Sequence, residues 1–512
     1  MISRLFSASL LGVEAREVEV EVNSTETEKP RMVIVGLPDA AVRESAERVR
    51  SALDASALPY LFGTHVVNLA PADLKKEGPS FDLPIALALT AAGQDLPLDH
   101  LQDTVTVGEV GLDGTLRPVR GALSIALGTR RQGKKRLLLP KANAREAAAV
   151  KGIQIYGVEN LRQAWDFVTG EKEIKPEPPR TVFEGDGTPR YPVDLDEVKG
   201  QAQVKRALEI AASGNHNLIM AGPPGTGKSM LAKRLATIMP GLTEEEAIET
   251  SCIHSVAGLL DAKDGLITTR PFRAPHHTIS DVGLLGGGTT PGPGELSLAH
   301  NGVLFLDELP EFHRQTLEVL RQPLEEGEVT ISRAAGTLTF QCNTLLISAL
   351  NPCPCGFWGD AKRECRCSPA QVERYRSRIS GPLLDRIDLH VEVPLIEYKD
   401  LASKEIGESS AVVRERVLEC RARQEKRFEE ETHIRTNSAM GPRQMREHCA
   451  LTPECSQLLE QAMEQLNFSA RAHDRILKVA RTIADMAGSD DLKVNHVLEA
   501  VQYRSLDRKL SL

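Results

Sequence analysis

Gly222-Pro223-Pro224-Gly225-Thr226-Gly227-Lys228-Ser229 follows the apolar run Asn217-Leu218-Ile219-Met220-Ala221 and precedes a helical pattern from Met230 to Met239. Strand, glycine loop and helix in that order are the setting a phosphate-cradling P-loop requires. The glycines let backbone N–H groups converge on phosphate oxygens without a Cβ in the way. Lys228 supplies a point charge for the β- and γ-phosphates, and Ser229 offers a hydroxyl to Mg²⁺. The octet therefore predicts ATP and Mg²⁺ as ligands. An ordinary glycine turn is the plainer reading, and the flanking strand and helix tell against it.

Downstream, Val303-Leu304-Phe305-Leu306 is a continuous apolar run, the pattern of a parallel strand buried on both faces. Asp307 and Glu308 follow at its carboxyl end, where open α/β sheets bind ligands. In this Walker B pattern Asp307 holds Mg²⁺ through its water shell, and Glu308 orients or deprotonates the attacking water. Two solvated acids at a strand end are the alternative. A third strand, Leu345 to Leu350, ends in Asn351 and is followed by Pro352.

The bulk composition suits soluble globular domains: of 512 residues, 41% are hydrophobic and 26% charged. That length suggests about three domains. No apolar run approaches the ~18 residues of a membrane span. The start, Met1-Ile2-Ser3-Arg4-Leu5-Phe6, carries no signal-peptide pattern, so a cytoplasmic location is expected. A net charge of −9 excludes a uniformly basic coat but not a basic channel. Nine cysteines in a chain this long are not a disulfide scaffold.

Alternating Val18-Glu19-Val20-Glu21-Val22 predicts a half-buried strand, Met32 to Gly36 a second, and Arg43 to Leu53 a helix. The Pro-, Glu-, Lys- and Gly-rich stretch from Glu171 to Pro192 reads as a linker. Beyond about Leu401 the chain reads as helical. The expected organisation is an α/β amino-terminal domain over 1–170, a linker over 171–192, a P-loop core over 193–397 and a helical domain over 398–512.

Several segments resemble known ATPases. Asn351 falls where AAA+ proteins carry the polar sensor 1 residue; a strand-ending turn is the competing reading. Ser380-Gly381-Pro382-Leu383-Leu384-Asp385-Arg386-Ile387-Asp388 resembles the arginine-finger segment of the helix-2-insert branch, with Arg386 at the finger. A salt bridge from Arg386 to Asp385 or Asp388 is the alternative. Ser469-Ala470-Arg471 opens a predicted helix, and Arg471 resembles sensor 2, with Arg475 and Arg481 as competitors. Arg270 to Ser280, Gly292 to Gly302, Asn351-Pro352-Cys353-Pro354-Cys355-Gly356 and Ser469 to Ala472 together resemble signature blocks of the YifB/ComM family. That resemblance covers nearly the whole chain. It implies a Lon-protease-like α/β amino-terminal domain, an AAA+ core with a parallel sheet, and a helical carboxy-terminal lid. It also implies a homo-oligomeric, hexameric ring and a DNA motor of the kind that drives branch migration in natural transformation. A magnesium-chelatase motor and a MoxR-like chaperone ATPase remodelling a protein complex are the alternatives.

Lys76-Glu77-Gly78-Pro79-Ser80 resembles the Lon segment bearing the nucleophilic serine, which puts Ser80 on that position. The stretch that would carry the lysine base reads Leu116 to Leu123, with Leu123 in the lysine's place. Leucine accepts no proton, so a non-proteolytic scaffold is expected. Cys353-Pro354-Cys355 and Cys365-Arg366-Cys367 make a candidate Zn²⁺ site; free thiols in a turn are the alternative. Phe272, Arg273, His276 and His277 are expected in a loop facing the ring's pore, where cationic and aromatic side chains track a DNA strand. A packed surface loop is the competing reading.

Overall fold

The structure, a computed structural model, describes residues 2–180, 183, 191–260, 265–288, 291–333, 336–359, 363–396, 407–431, 434–466 and 468–504. Part of the expected linker, 181–182 and 184–190, and the expected boundary at 397/398 lie outside the described residues. The chain divides into two units, Met1–Asp186 with Thr243–Thr268, and Gly187–Leu242 with Thr269–Leu512.

In the first unit, a seven-stranded sheet runs in the order Arg31–Val35, Gly63–Ala70, Glu14–Glu26, Ile2–Leu11, Thr104–Thr106, Arg136–Pro140, Gln154–Val158. Its long hairpin is antiparallel and its outer strands are parallel. The period-two pattern holds: Val18, Val20 and Val22 are buried, while Glu19 and Glu21 lie on the other face. Helix Ala40–Ala55 starts where Asp39 accepts a hydrogen bond from Val42 N–H at 2.8 Å. Helix Asp82–Gly93 is apolar all round and packs on the two long strands, as a central helix must.

Helix Glu244–Ala257 lies, in sequence, within the range expected for the P-loop core, yet it belongs to the first unit. Thr243 and Glu246 form its capping box. It packs on helix Ala122–Arg131, where Gly121 N–H donates to Ser255 O at 3.1 Å and Ser255 Oγ donates to Glu146. The chain thus passes between the two units three times rather than once.

The second unit is built on a five-stranded sheet in the order Phe272–Arg273, Val303–Leu306, Leu345–Leu350, Leu218–Ala221, Leu389–Glu392, parallel throughout. Phe272 and Arg273 are therefore an edge strand, not the expected loop. The helices Ser410–Arg427, Ala470–Met486 and Val494–Gln502 share the core of this unit: Val413, Val417, Ile476 and Val497 pack in one cluster with Leu208, Ala211 and Leu389. Ser469 caps its helix by accepting from Ala472 N–H at 3.2 Å.

Candidate nucleotide-binding site

Parallel strands end at the same edge of a sheet. Ala221, Leu306 and Leu350 therefore deliver the P-loop, Asp307-Glu308 and Asn351 to one place. Gly227, at φ +83°, turns the loop into helix Lys228–Ile238, a conformation glycine adopts without strain. Lys228 Nζ donates to Gly222 O at 2.7 Å, Pro223 O at 2.8 Å and Asn351 Oδ1 at 3.2 Å. Burial pulls the Lys228 pKa down, and the nearby Asp307 and Glu308 carboxylates act against that fall. Ser229 Oγ donates to Asp307 Oδ2 at 2.6 Å. The hydroxyl and carboxylate that would hold Mg²⁺ are thus already paired, a donor set of hard oxygens that fits that ion. Glu308 stands half exposed at φ +53°, an uncommon backbone state for a residue with a side chain.

Arg386 does not make the salt bridge to Asp385 or Asp388 that was the alternative to a finger. Its guanidinium is buried, donating to Arg321 O at 3.1 Å and Pro382 O at 2.7 Å, and pairing with Glu325 at 2.8 Å. The two acids first considered are engaged elsewhere. Asp388 holds Arg475 at 3.0 Å and His216 at 3.1 Å, and Asp385 lies 3.9 Å from Arg471. Of the three sensor 2 competitors, Arg475 is tied to Asp388 and Arg481 is buried on Asp485. Arg471 is left with its side chain 61% exposed.

The four cysteines converge, and none is in a disulfide. Cys353 Sγ lies 3.4 Å from Cys355 Sγ and 3.7 Å from Cys365 Sγ, Cys355 lies 3.5 Å from Cys365, and all four sulfurs fall within 4.8 Å of one another.

At the position of the missing lysine, Leu123 is buried and its N–H donates to Glu146 Oε1 at 3.1 Å. Lys76 is also buried, with its pKa lowered by desolvation, but its ammonium donates to Pro71 O. Phe272 stacks on Phe305 with centroids 6.0 Å apart, and Arg273 grips Glu295 through two bonds of 2.6 Å. Those two side chains serve the fold, as the packed-surface reading of this segment had it.

Sequence reasoning missed three partners. His277 reaches Glu308, Glu325 reaches Arg386, and Gln201 Nε2 donates to Thr226 O at 2.9 Å, bracing the P-loop from the segment before helix Ala202–Gly214. None carries a local signal, because each pair joins distant stretches of chain.

Residues 194–401 match the family described as magnesium chelatase, subunit ChlI. Residues 18–143 match subunit ChlI of Mg-chelatase, and residues 407–504 match the ChlI C-terminal family. Over 511 residues the chain is 42% identical to YifB of Escherichia coli, covering 99% of this chain and 98% of YifB. Over 514 residues it is 43% identical to the competence protein ComM of Haemophilus influenzae, with the same coverage of each. The chain belongs to the YifB/ComM family. The P-loop, Asp307, Glu308, Asn351, Arg386 and the four cysteines of this YifB/ComM chain all fall within the first chelatase match, and Arg471 within the carboxy-terminal one. A mixed α/β chain with a parallel sheet fits the AAA+ magnesium-chelatase-like fold, and that family implies ATP and Mg²⁺ as ligands. Among the described residues no helix is long and apolar enough to cross a membrane.

Proposed function

We propose that this chain is a ring-forming ATPase motor that acts on branched or single-stranded DNA, in the manner its likeness to the competence protein ComM suggests. One observation carries the ATPase reading: Lys228 touches Asn351 while Ser229 touches Asp307, so four separately predicted residues meet around one loop. In this reading the P-loop amides and Lys228 take the β- and γ-phosphates, and the ammonium exchanges its carbonyl partners for phosphate oxygens. Ser229 and Asp307 would hold Mg²⁺, which would supply neutralisation of the phosphate charge. Glu308 accepts the proton of the attacking water, and Asn351 orients that water or the γ-phosphate. Arg386 of a neighbouring protomer, once released from Glu325, stabilises the charge of the transferring phosphoryl group, and Arg471 reports nucleotide state. The first unit is a non-proteolytic scaffold.

The test is ATP turnover by the full chain with and without single-stranded or four-way branched DNA, followed by strand-displacement gels, with Lys228→Ala as the inactive control. DNA-stimulated hydrolysis and displacement support the motor. Turnover indifferent to DNA but raised by a protein complex favours a remodelling ATPase, and absence of turnover ends the proposal.

A further inference from the structure

The cysteine cluster sits directly against the P-loop. Cys353 follows Asn351 by two residues, and Gly356 closes the turn with its N–H on Cys353 O at 2.9 Å. Gly356 has φ +84°, and a Cβ built there would stand 2.5 Å from Pro224 Cδ and 3.1 Å from Pro224 Cγ. No side chain fits between this turn and the phosphate loop. The second cysteine pair leads straight into helix Pro369–Arg376, capped by Ser368, and Arg376 Nε reaches back to Pro352 O at 3.1 Å. The turn on Pro224 is thus tied to the rest of the unit through the cysteines at one end and Arg376 at the other.

Four thiols do not gather without a reason. Thiolates repel one another, and neutral thiols form only weak hydrogen bonds. Sulfurs bound to one tetrahedral Zn²⁺ at about 2.3 Å lie about 3.8 Å apart, which the three separations of 3.4, 3.5 and 3.7 Å approach. Backbone N–H groups of Phe357 and Arg366 point at the Cys355 sulfur, and Cys367 N–H points at Cys365 Sγ at 3.4 Å. Such donors orient and stabilise metal-bound thiolates.

We propose that Cys353, Cys355, Cys365 and Cys367 bind one Zn²⁺, and that this zinc site sets nucleotide affinity by holding Gly356 against Pro224. The second half of the proposal rests on the nucleotide-binding reading above; the first does not.

The experiment uses the full-length protein purified without chelator. Metal analysis is expected to give about one zinc per chain, and substitution with Co²⁺ to give the intense thiolate charge-transfer and d–d bands of a tetrahedral sulfur site. A wild-type content below about 0.2 zinc per chain overturns the site, since structural sites fill nearly completely. Cys355→Ser and Cys367→Ser are expected to lose the metal. Because losing a zinc ligand can also unfold the protein, Gly356→Ala carries the decisive measurement: it keeps all four thiols. It is expected to retain zinc while its dissociation constant for a fluorescent ADP analogue rises roughly five- to a hundredfold, the range for one methyl group forced into a packed contact. Gly359→Ala is the control for backbone strain alone, with φ +80° and nothing within 4 Å of the added carbon, and is expected to bind nucleotide within about twofold of wild type. Zinc-loaded Gly356→Ala with unchanged affinity, or chelated wild type with unchanged affinity, overturns the coupling. Zinc-loaded wild type that binds no nucleotide overturns the motor reading and the coupling together, and leaves the metal site standing.

Discussion

His277 Nδ1 lies 3.3 Å from Glu308 Oε2. This contact joins the segment after the edge strand to the acid expected to activate water. The His277 ring also stacks near His276, with centroids 4.1 Å apart, and meets Phe312 edge-on. The imidazole is held from two sides, so it can fix the orientation of a carboxylate that is otherwise half exposed. His277→Ala is expected to lower kcat about three- to tenfold with little change in nucleotide affinity, whereas Glu308→Gln lowers it at least about a hundredfold. Steady-state ATPase assays alongside nucleotide titrations check this, and an unchanged kcat in His277→Ala would show that the contact is incidental.

Removing the Ser229 hydroxyl takes a hydrogen bond from Asp307 Oδ2 and one oxygen from the Mg²⁺ site. Ser229→Ala is expected to raise the Mg²⁺ concentration for half-maximal turnover about tenfold or more, while Lys228→Ala abolishes nucleotide binding. A Mg²⁺ titration of ATPase rate distinguishes the two effects. Identical Mg²⁺ curves for wild type and Ser229→Ala would remove Ser229 from the metal site.

Arg386 must exchange Glu325 for a neighbour's phosphate if it is the finger. Arg386→Ala is expected to bind nucleotide normally and lose about a thousandfold or more in turnover. Arg386→Ala and Lys228→Ala subunits are each inactive alone. Mixed in one ring, some interfaces pair an intact P-loop with an intact finger, so activity should reappear. Failure to recover any activity across the full range of mixing ratios would contradict a role in trans.

The His216–Asp388 pair predicts acid sensitivity. Burial lowers the His216 pKa below its ordinary 6.5, against the pull of Asp388. Burial alone would raise Asp388; Arg475 and His216 override it and hold its pKa well below the usual carboxylate range. Lys478 also faces the pair, and Thr482 takes the second imidazole nitrogen at 2.8 Å. As pH falls through about 6.5 the unfolded chain takes up a proton that the folded His216 refuses, so stability declines from there downward. The Asp388 contribution is present above its unfolded pKa near 4 and fades as pH falls through the lower folded value. Thermal unfolding of wild type should therefore shift to lower temperature between pH 7 and 5.5, and His216→Gln should flatten that slope. Parallel slopes for the two proteins would assign the loss to other groups.

Ser80 is expected not to react with a serine-directed fluorophosphonate. Leu123 stands where a base is needed, and the Lys76 ammonium is spent on Pro71 O. Stoichiometric labelling lost in Ser80→Ala would restore a hydrolytic reading of the first unit.

The strands Val303–Leu306 and Leu345–Leu350 appear where their apolar runs place them, and the four residues before the P-loop form the expected strand. Such runs are legible because a strand buried on both faces is apolar at nearly every position, with Ser348 the one polar residue in these three strands. Phe272 and Arg273 misled because an aromatic and a cation look alike whether they grip a ligand or pack on Phe305 and Glu295. The acid that pairs with Arg386 was hidden for a related reason. Acids near it in sequence were natural partners to consider, but Glu325 comes from a separate stretch of chain.

Sequence by itself determined the contiguous chemistry of this protein: the phosphate loop, the acids after one buried strand, the amide after another and the two cysteine pairs. Those depend on residue types at short spacing, which local geometry converts directly into position. Tertiary structure alone decided which unit takes helix Glu244–Ala257, which acid holds Arg386, and that Gly356 presses on Pro224. Contacts between distant segments depend on how elements pack, and packing is a property of the whole core rather than of any short run of residues.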